Sequence, residues 1–289
     1  MRTKLDNFPF NQTHSYPTWR EADSLTYRRP CVFCNISKKR RHTMEPIYVK
    51  NFTVDDSWVD RYGRMKPSML LYLAQEMGGQ HSALMSLDYD TLASRRLFWA
   101  VSRHGVQIDR MPTRGETIRV ETWPLPATRA AYPRSVIGYD ENGSECFRVI
   151  TLWVLMDLDT RRMILPGKSG IMVVGTLRGN ELPAPAGLIL RPAGNVQHRT
   201  VAFSDLDRNG HMNNTRCMDW IADLLPSEFH RTHALRELTV CYLAEAREGD
   251  ELRLNLEFAD DATAQVDATR TQDGETHRIF SAKLFFDQV

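Results

Sequence analysis

One short stretch of the sequence, residues 204–214, concentrates side chains that could do chemistry: it reads SDLDRNGHMNN. Asp207, Asn209 and His211 stand at alternate positions, so in an extended segment their side chains point to the same side. A carboxylate, an amide and an imidazole grouped in this way can orient one another, polarise a carbonyl group and move a proton. The two asparagines that follow favour a helix start, which adds free N–H groups and a positive dipole end.

The same residues also have a purely structural interpretation, because Asp and Asn before a helix often only cap it. A shorter copy of the motif, DRYGRM at residues 60–65, helps to decide between the two. It keeps the aspartate, as Asp60, but has Tyr62 and Arg64 where the later copy has its amide and its imidazole. A cap alone gives no reason for this exchange, which favours catalysis at the later copy.

A second acidic group is needed to activate water, and Glu245 is the candidate. It lies just before the turn at Gly249 and is flanked by Ala244 and Ala246. A carboxylate among small apolar residues is suited to act as a base, although a solvated turn residue is the alternative interpretation. When the two copies are aligned by their turn glycines, Met111 takes the place of this glutamate in the first copy.

The elements around the two motifs recur in the same order, which predicts two copies of one structural unit. Each motif is followed by apolar residues at helical spacing and then by alternating strand patterns that end in a hairpin signal. The recurring signals are helix patterns at 68–85 and 218–225, strand patterns at 114–123 and 248–258, and the turn dipeptides Asn142-Gly143 and Asp273-Gly274.

A central helix followed by long antiparallel strands predicts an α+β fold in which a curved sheet wraps around the helix, the hot-dog arrangement. A sandwich of separately packed layers is the alternative. We expect a tandem (double) hot-dog whose exposed edge strands pair into one continuous sheet. The predicted segments are a disordered N-terminal extension at 1–45, an N-terminal hot-dog domain at 46–165, a linker rich in Pro and Gly at 166–192, and a catalytic C-terminal hot-dog domain at 193–289.

Composition excludes several functional classes. The chain has 289 residues, 42% hydrophobic and 25% charged, which suits a globular protein of two domains. A formal net charge of +1 gives no global field for nucleic acid. No apolar run approaches the about 20 residues of a membrane helix, and the N-terminus lacks the apolar core of a signal peptide. We therefore expect a cytoplasmic protein with no membrane span and no nucleic-acid partner.

Five cysteines without regular spacing favour a reducing compartment over a disulfide framework. Cys31 and Cys34 form a C-x-x-C pair with His42 nearby, but a zinc site needs four ligands and only three candidates are visible. We interpret the pair as free thiols and expect neither a metal nor a cofactor.

The stretch DLDRNGHMNNTRCMDWI resembles a pattern of the acyl-acyl carrier protein thioesterases of plants and bacteria, D-x-N-x-H-V-N-N-x-x-Y-x-x-W, with Met212 for Val and Cys217 for Tyr. The resemblance extends from about Pro46 to the C-terminus. It implies hydrolysis of a fatty acyl thioester on acyl carrier protein. Ala246 stands where an older proposal for the family placed a nucleophilic cysteine, so that mechanism is not open at this position.

By motif position, the resemblance implies catalytic roles for Asp207, Asn209, His211 and Glu245. In the mechanism that we favour, Glu245 with His211 activates water, and Asn209 and the helix start stabilise the oxyanion. Asp207 orients its neighbours. A covalent route through Glu245 stays open.

Cys217 and Cys241 carry thiols, which are potential nucleophiles, but we interpret both as buried packing residues. The N-terminal domain, which is rich in Met, Leu and aromatic residues and lacks the polar trio, is expected to house the acyl chain. Its substrate-binding residues are not identified by the sequence.

The expected partner is acyl carrier protein carrying a fatty acyl chain. Because acyl carrier proteins are acidic, basic residues are docking candidates: Arg134, Arg161, Arg162 and Lys168. Either a monomer or a homodimer is compatible with the sequence. Three alternative functions stay open: an acyl-coenzyme A thioesterase, another hot-dog enzyme such as a dehydratase, and a non-catalytic acyl-binding protein.

Overall fold

The secondary structure falls into two sets of elements, one in each half of the part of the chain that the computed structural model describes, residues 46–190 and 192–289. The predictions for residues 1–45, including the Cys31 and Cys34 pair, lie outside these residues. The first set is β1 (Tyr48–Thr53), α1 (Pro67–Leu84), α2 (Tyr89–Ser94), β2 (Leu97–Ile108), β3 (Thr117–Pro124), β4 (Tyr132–Tyr139), β5 (Glu145–Asp157) and β6 (Met163–Ile164). The second set is β7 (Asn195–Thr200), α3 (Arg216–Leu224), α4 (Ser227–Thr232), β8 (His233–Tyr242), β9 (Glu251–Phe258), β10 (Thr263–Gln272) and β11 (Glu275–Gln288).

The strands form one 11-stranded antiparallel sheet in the order β1-β3-β4-β5-β2-β8-β11-β10-β9-β7, with the short β6 on β5. The two halves of this order correspond strand by strand and meet where β2 pairs with β8, with Gly105 opposite Thr239. The predicted joining of two units into one continuous sheet is therefore confirmed.

Each half wraps its sheet around a helix whose apolar side faces the strands. Helix α1 begins with Pro67 at its first position, where the missing N–H costs no hydrogen bond, and buries Leu70, Leu73 and Met77 at helical spacing. Helix α3 buries Ile221 in the same core and ends before Pro226. Full burial of one such side chain contributes about 2 kcal/mol, so this core is a main source of stability.

The segment between the halves crosses the outer face of the sheet. Within the described residues 165–190, only the turn Pro166–Lys168 is helical and none is a strand. Its backbone contacts β3 through Thr176 N–H, which donates to Pro124 O at 2.9 Å, and β2 through Pro185 O, which accepts from Arg103 Nη1 at 3.2 Å. Leu182 packs on a second apolar cluster on that face. The segment thus covers the side of the sheet opposite to the helices.

Candidate active site

The residues of the later motif form a tight turn held by the carboxylate of Asp207. Its Oδ1 accepts hydrogen bonds from Asn209 N–H at 2.8 Å and His211 N–H at 3.4 Å, and Asp207 N–H donates to His211 O at 2.8 Å. Gly210 takes a φ of +74°, a conformation that glycine adopts at little cost. The expected extended segment is therefore wrong: the polar side chains are gathered by a turn, because the aspartate bonds to its own loop.

The imidazole of His211 meets the carboxylate of Glu245, which follows β8. His211 Nε2 lies 3.3 Å from Glu245 Oε2, and their side chains are 16% and 44% exposed. The backbone fixes this approach, because Met212 N–H donates to Ala246 O at 2.8 Å and His211 forms a β-bridge with Arg247. The two groups are thus in contact, close to the distance at which a side chain can exchange a proton with its neighbour, and both can act on a reactant placed beside them.

Arg161, from the other half of the chain, also contacts the Glu245 carboxylate. It lies in the turn between β5 and β6, where it has a φ of +55°, and its guanidinium forms an ion pair with Glu245 Oε1. The same guanidinium lies 4.6 Å from the ring centre of Phe98. The carboxylate of Glu245 is therefore held from two sides, by an imidazole and by a guanidinium.

The start of α3 lies beside this group. Asn213 Oδ1 accepts hydrogen bonds from Thr215 N–H at 3.0 Å and Thr215 Oγ1 at 3.1 Å, so an asparagine does support the helix start, from two residues before the N-cap. Asn209 Nδ2 donates to Asp207 Oδ2 at 3.3 Å, which leaves its second amide hydrogen available. The Asn209 amide and the positive end of the α3 dipole are thus grouped where an oxyanion could be stabilised.

All four predicted residues line one cavity of about 390 Å³ between the two halves. Its walls include, from the first half, Gln75, Phe98, Trp99, Trp153 and Arg161, and from the second half, Asp207, Asn209, His211, Cys217, Tyr242 and Glu245. The wall from the first half is mainly apolar, whereas the wall from the second half combines these polar side chains with apolar ones such as Leu243, Ile279 and Phe280. The site is therefore built at the junction of the two units.

The thiol of Cys217 reaches this cavity but is unsuited to nucleophilic attack. Burial raises the pKa of Cys217 to about 12, and its Sγ donates to Asn214 O at 2.9 Å. Because the thiolate is the nucleophile, a thiol that stays protonated at neutral pH does not attack. Cys241 is also buried, 2% exposed, with its Sγ 3.8 Å from Ala186 O of the linker segment.

Across residues 46–190 and 192–289, no group of three or more His, Cys, Asp or Glu side chains is arranged to hold a metal ion. No helix within those residues has the length and apolar character to span a bilayer.

Two family models match this chain. The family model described as Acyl-ACP thioesterase N-terminal domain matches residues 45–165, and the model described as Acyl-ACP thioesterase C-terminal domain matches residues 192–283. The chain belongs to the acyl-ACP thioesterase family. The family resemblance that the motif predicted is thereby confirmed.

Curated plant members of the acyl-ACP thioesterase family are similar over part of their length. The chloroplastic oleoyl-acyl carrier protein thioesterase of Coriandrum sativum is 27% identical over 197 residues, 62% of this chain and 53% of the relative. The dodecanoyl-[acyl-carrier-protein] hydrolase of Cinnamomum camphora is 28% identical over 163 residues, 53% of this chain and 43% of the relative. The chain spans about half the length of the curated relatives that it matches.

Solved acyl-ACP thioesterase structures confirm the double hot-dog fold. The Bacteroides thetaiotaomicron acyl-ACP thioesterase has a TM-score of 0.74 and 25% identity, covering 84% of this chain and 98% of that one. The 12:0-ACP thioesterase of Umbellularia californica has a TM-score of 0.73 and 21% identity, covering 85% of this chain and 98% of that one. The second likeness shows the fold alone.

Of the docking candidates that the sequence offers, the structure buries Arg134 and pairs the partly exposed Arg161 with Glu245. Arg161 pairs with Glu245, 84 residues further along the chain, and no local pattern could have revealed that contact. Arg134 is only 5% exposed and contacts His81 Nδ1 at 3.0 Å and Thr122 Oγ1 at 3.3 Å. Arg134 therefore cannot form a surface docking contact, and that prediction is wrong because β4 turns this side chain under α1.

Proposed function

We propose that this chain hydrolyses fatty acyl-acyl carrier protein thioesters to free fatty acid and acyl carrier protein. The single observation that carries the proposal is the 3.3 Å contact between His211 Nε2 and Glu245 Oε2 inside a cavity that also includes Asp207 and Asn209. The plant relatives are named for oleoyl, palmitoyl and dodecanoyl acyl carrier protein substrates, which supports the substrate class.

Water activation falls to Glu245 and His211. A water molecule placed between the thioester carbon and the Glu245 carboxylate loses its proton to that carboxylate as the carbon–oxygen bond forms. His211, in contact with the same carboxylate, shares the proton and can return it to the leaving sulfur. Arg161 acts as a positioning residue, because its guanidinium limits the orientations of the carboxylate.

Charge on the thioester oxygen is stabilised by the second amide hydrogen of Asn209 and by the positive end of the α3 dipole. Asp207 holds the Asn209 amide through Oδ2 and shapes the turn through Oδ1. The leaving group is a thiolate whose conjugate thiol has a pKa of about 8.5, so the reaction makes little demand on a general acid.

In the same proposal, the two halves of the chain have different roles. Residues 46–165 bind the acyl chain, residues 193–289 supply the four catalytic side chains, and residues 166–192 connect them. A second cavity of about 330 Å³ in the first half supports this assignment, because Trp99 and Trp153 line both it and the catalytic cavity, while Gly78 and Gly79 of α1 leave room beside them. An acyl chain attached at the thioester would extend past the two tryptophans.

Acyl carrier protein is the proposed partner, and Arg162 and Lys168 remain exposed docking candidates. Both lie close in sequence to the turn that carries Arg161, so a carrier bound there would deliver its pantetheine arm near the catalytic cavity. Cytoplasmic location and the choice between monomer and homodimer stay predictions.

The test is a thiol-release assay with the full chain, using acyl carrier protein and coenzyme A thioesters of matched chain lengths. We expect preferential hydrolysis of the carrier protein thioesters. We also expect a loss of about 10²- to 10³-fold in kcat for Asn209→Ala, the cost of removing one oxyanion donor. Asn51→Ala, an exposed residue of β1 outside the site, is the matched control and should retain full activity.

Two results would contradict the proposal. Faster hydrolysis of coenzyme A thioesters would identify a different thioesterase, and binding of acyl thioesters without any thiol release would identify a carrier or scaffold.

A further inference from the structure

The first-half motif, residues 60–65, folds into the same turn as the later motif. Asp60 Oδ1 accepts from Tyr62 N–H at 2.8 Å and from Arg64 N–H at 3.1 Å, and Asp60 N–H donates to Arg64 O at 2.8 Å. Gly63 has a φ of +76°, and Met65 N–H donates to Pro112 O at 2.8 Å, as Met212 N–H donates to Ala246 O. Each of these hydrogen bonds in the first turn therefore has a counterpart in the second turn.

The equivalence extends to the segment that faces each turn. Arg64 bridges to Thr113 as His211 bridges to Arg247, which places Met111 where the second half has Glu245. Met111 accordingly lines a cavity of about 290 Å³ between the two halves, as Glu245 lines the catalytic cavity. This cavity, called here the Met111 cavity, is the counterpart of the catalytic cavity.

The Met111 cavity lacks the counterparts of His211 and Glu245, because Arg64 and Met111 stand at those positions. The Arg64 guanidinium donates to Asp60 Oδ2 at 3.1 Å and to His230 O at 2.6 Å, and Tyr62 Oη donates to Ser227 O at 3.0 Å. A thioether stands in place of the catalytic carboxylate. A ligand could bind in this cavity, but no side chain there reproduces the pair of His211 and Glu245.

The lining of the Met111 cavity suits an apolar chain. Its apolar wall is contributed by both halves: Met65, Met111, Met218, Ile221, Leu235 and Phe286. Methionine side chains adapt to ligands of different shape because they are unbranched and flexible.

The charges at the Met111 cavity leave a positive excess. Its three carboxylates are paired: Asp60 with Arg64 at 3.1 Å, Asp219 with Arg216 at 2.7 Å and Asp223 with Arg199 at 2.9 Å. Arg61 and Lys66 also line the cavity, and within the described residues neither forms an ion pair. Two cations beside an apolar wall are complementary to an amphiphile with an anionic head.

We propose that the Met111 cavity is a second ligand site, which binds a fatty acid anion and does not act on it. The alkyl chain packs on the methionine-rich wall and the carboxylate lies near Arg61 and Lys66. The choice of a fatty acid rests on the proposed function, since free fatty acid is the product released by the catalytic cavity. One chain would then release its product at one site and retain it at the equivalent site of the other half.

The test is NMR of the full chain labelled with ¹³C at the methionine methyl groups and titrated with dodecanoate. Each cavity has its own reporters: Met111 and Met218 in the Met111 cavity, Met85 in the cavity of the first half, and Met156 and Met212 in the catalytic cavity. We expect dodecanoate to shift the Met111 and Met218 signals. The double variant Arg61→Gln/Lys66→Gln should weaken that binding about tenfold.

The matched control is Arg95→Gln, which removes an exposed arginine that lines none of the three cavities and should leave the titration unchanged. Shifts confined to Met85, Met156 and Met212 would overturn the proposal, as would an unaltered affinity in the double variant. Because the titration needs no turnover, shifts at Met111 and Met218 in a protein without thioesterase activity would support this site and contradict the proposed function alone.

Discussion

Residues 60–65 and residues 207–212 form the same turn with different side chains, and the difference separates architecture from chemistry. Both turns keep an aspartate whose Oδ1 accepts two backbone N–H groups, at 2.8 and 3.1 Å in the first and at 2.8 and 3.4 Å in the second. Both also keep a glycine with φ near +75°, as +76° at Gly63 and +74° at Gly210. These residues build the turn and would be needed whether or not it carried catalysis.

The residues that differ between the turns face the two cavities. His211 of the second turn contacts Glu245 and Asn209 lines the same cavity, whereas Tyr62 and Arg64 of the first turn donate hydrogen bonds to backbone carbonyls of α4. Asp207 therefore stabilises the turn. Any effect that it has on catalysis is indirect, through the groups that it orients. We infer that these positions line an open cavity with polar side chains in the second half, whereas the same positions in the first half form contacts between the halves.

The strongest test of this comparison is Glu245→Gln, which gives the second half a neutral group, as Met111 does in the first. We expect kcat to fall by about 10³-fold, within the range for loss of a general base, with little change in the folded structure because the side-chain shape is kept. Thiol release from a carrier protein thioester measures the effect. Glu248→Gln, in the exposed turn before Gly249, is the control. A loss smaller than tenfold would show that the asymmetry between the halves does not lie in this carboxylate.

Much of this comparison could be read from the sequence, because the two motifs and their turn glycines recur in order. The register of Arg64 with Thr113 and of His211 with Arg247 follows from aligning Gly115 with Gly249, and both glycines have positive φ, +85° and +84°. The alternation of Leu252, Leu254, Leu256 and Phe258 predicts one buried side of β9, and the three leucines are buried, whereas Phe258 at the strand end is 39% exposed. Local periodicity carries this information, since it depends only on neighbours in the chain.

Contacts between the halves could not be read in this way. Arg161 reaches Glu245 only because β2 and β8 join the two sheets, and Arg134 is buried only because β4 lies under α1. Neither arginine has a sequence neighbour that distinguishes it from an exposed one. The turn at Asp207 was also missed, because alternating polar residues fit an extended strand as well as a loop closed by a side chain.

A second test concerns Arg161, which the first half contributes to the carboxylate of the second. We expect Arg161→Gln to lower kcat by about 5- to 10-fold, since a half-exposed ion pair is worth about 1 kcal/mol. KM for the carrier protein thioester should stay unchanged, and Arg161→Lys should recover part of kcat. Arg129→Gln, an exposed arginine away from the cavities, is the control. A raised KM with normal kcat would instead assign Arg161 to docking of the carrier protein.

A third test lies at the seam where the halves meet, and it concerns stability rather than catalysis. His104 of β2 is completely buried opposite Val240, and its counterpart in β8, related by the symmetric register around Gly105 and Thr239, is the apolar Leu238. Burial lowers the pKa of His104 to about 3, whereas a histidine in the unfolded chain has a pKa of about 6.5. Between these values the unfolded chain binds a proton that the folded chain does not, so stability falls as the pH falls.

This proton linkage predicts a loss of about 2 kcal/mol in the free energy of unfolding between about pH 7 and about pH 5 from this one group. His104→Asn keeps a partner for Thr151 Oγ1, which lies 3.0 Å from His104 Nδ1, but has no group that titrates in this window. We therefore expect the free energy of unfolding, measured with urea at both pH values, to change less with pH in the variant than in the wild type, whatever the variant's absolute stability. His198→Asn, on exposed β7, should retain the wild-type dependence. If the free energy of unfolding changes equally with pH in His104→Asn and in the wild type, the seam tolerates a charged imidazole. His104 and its counterpart Leu238 would then differ in shape but not in their effect on the pH dependence of stability.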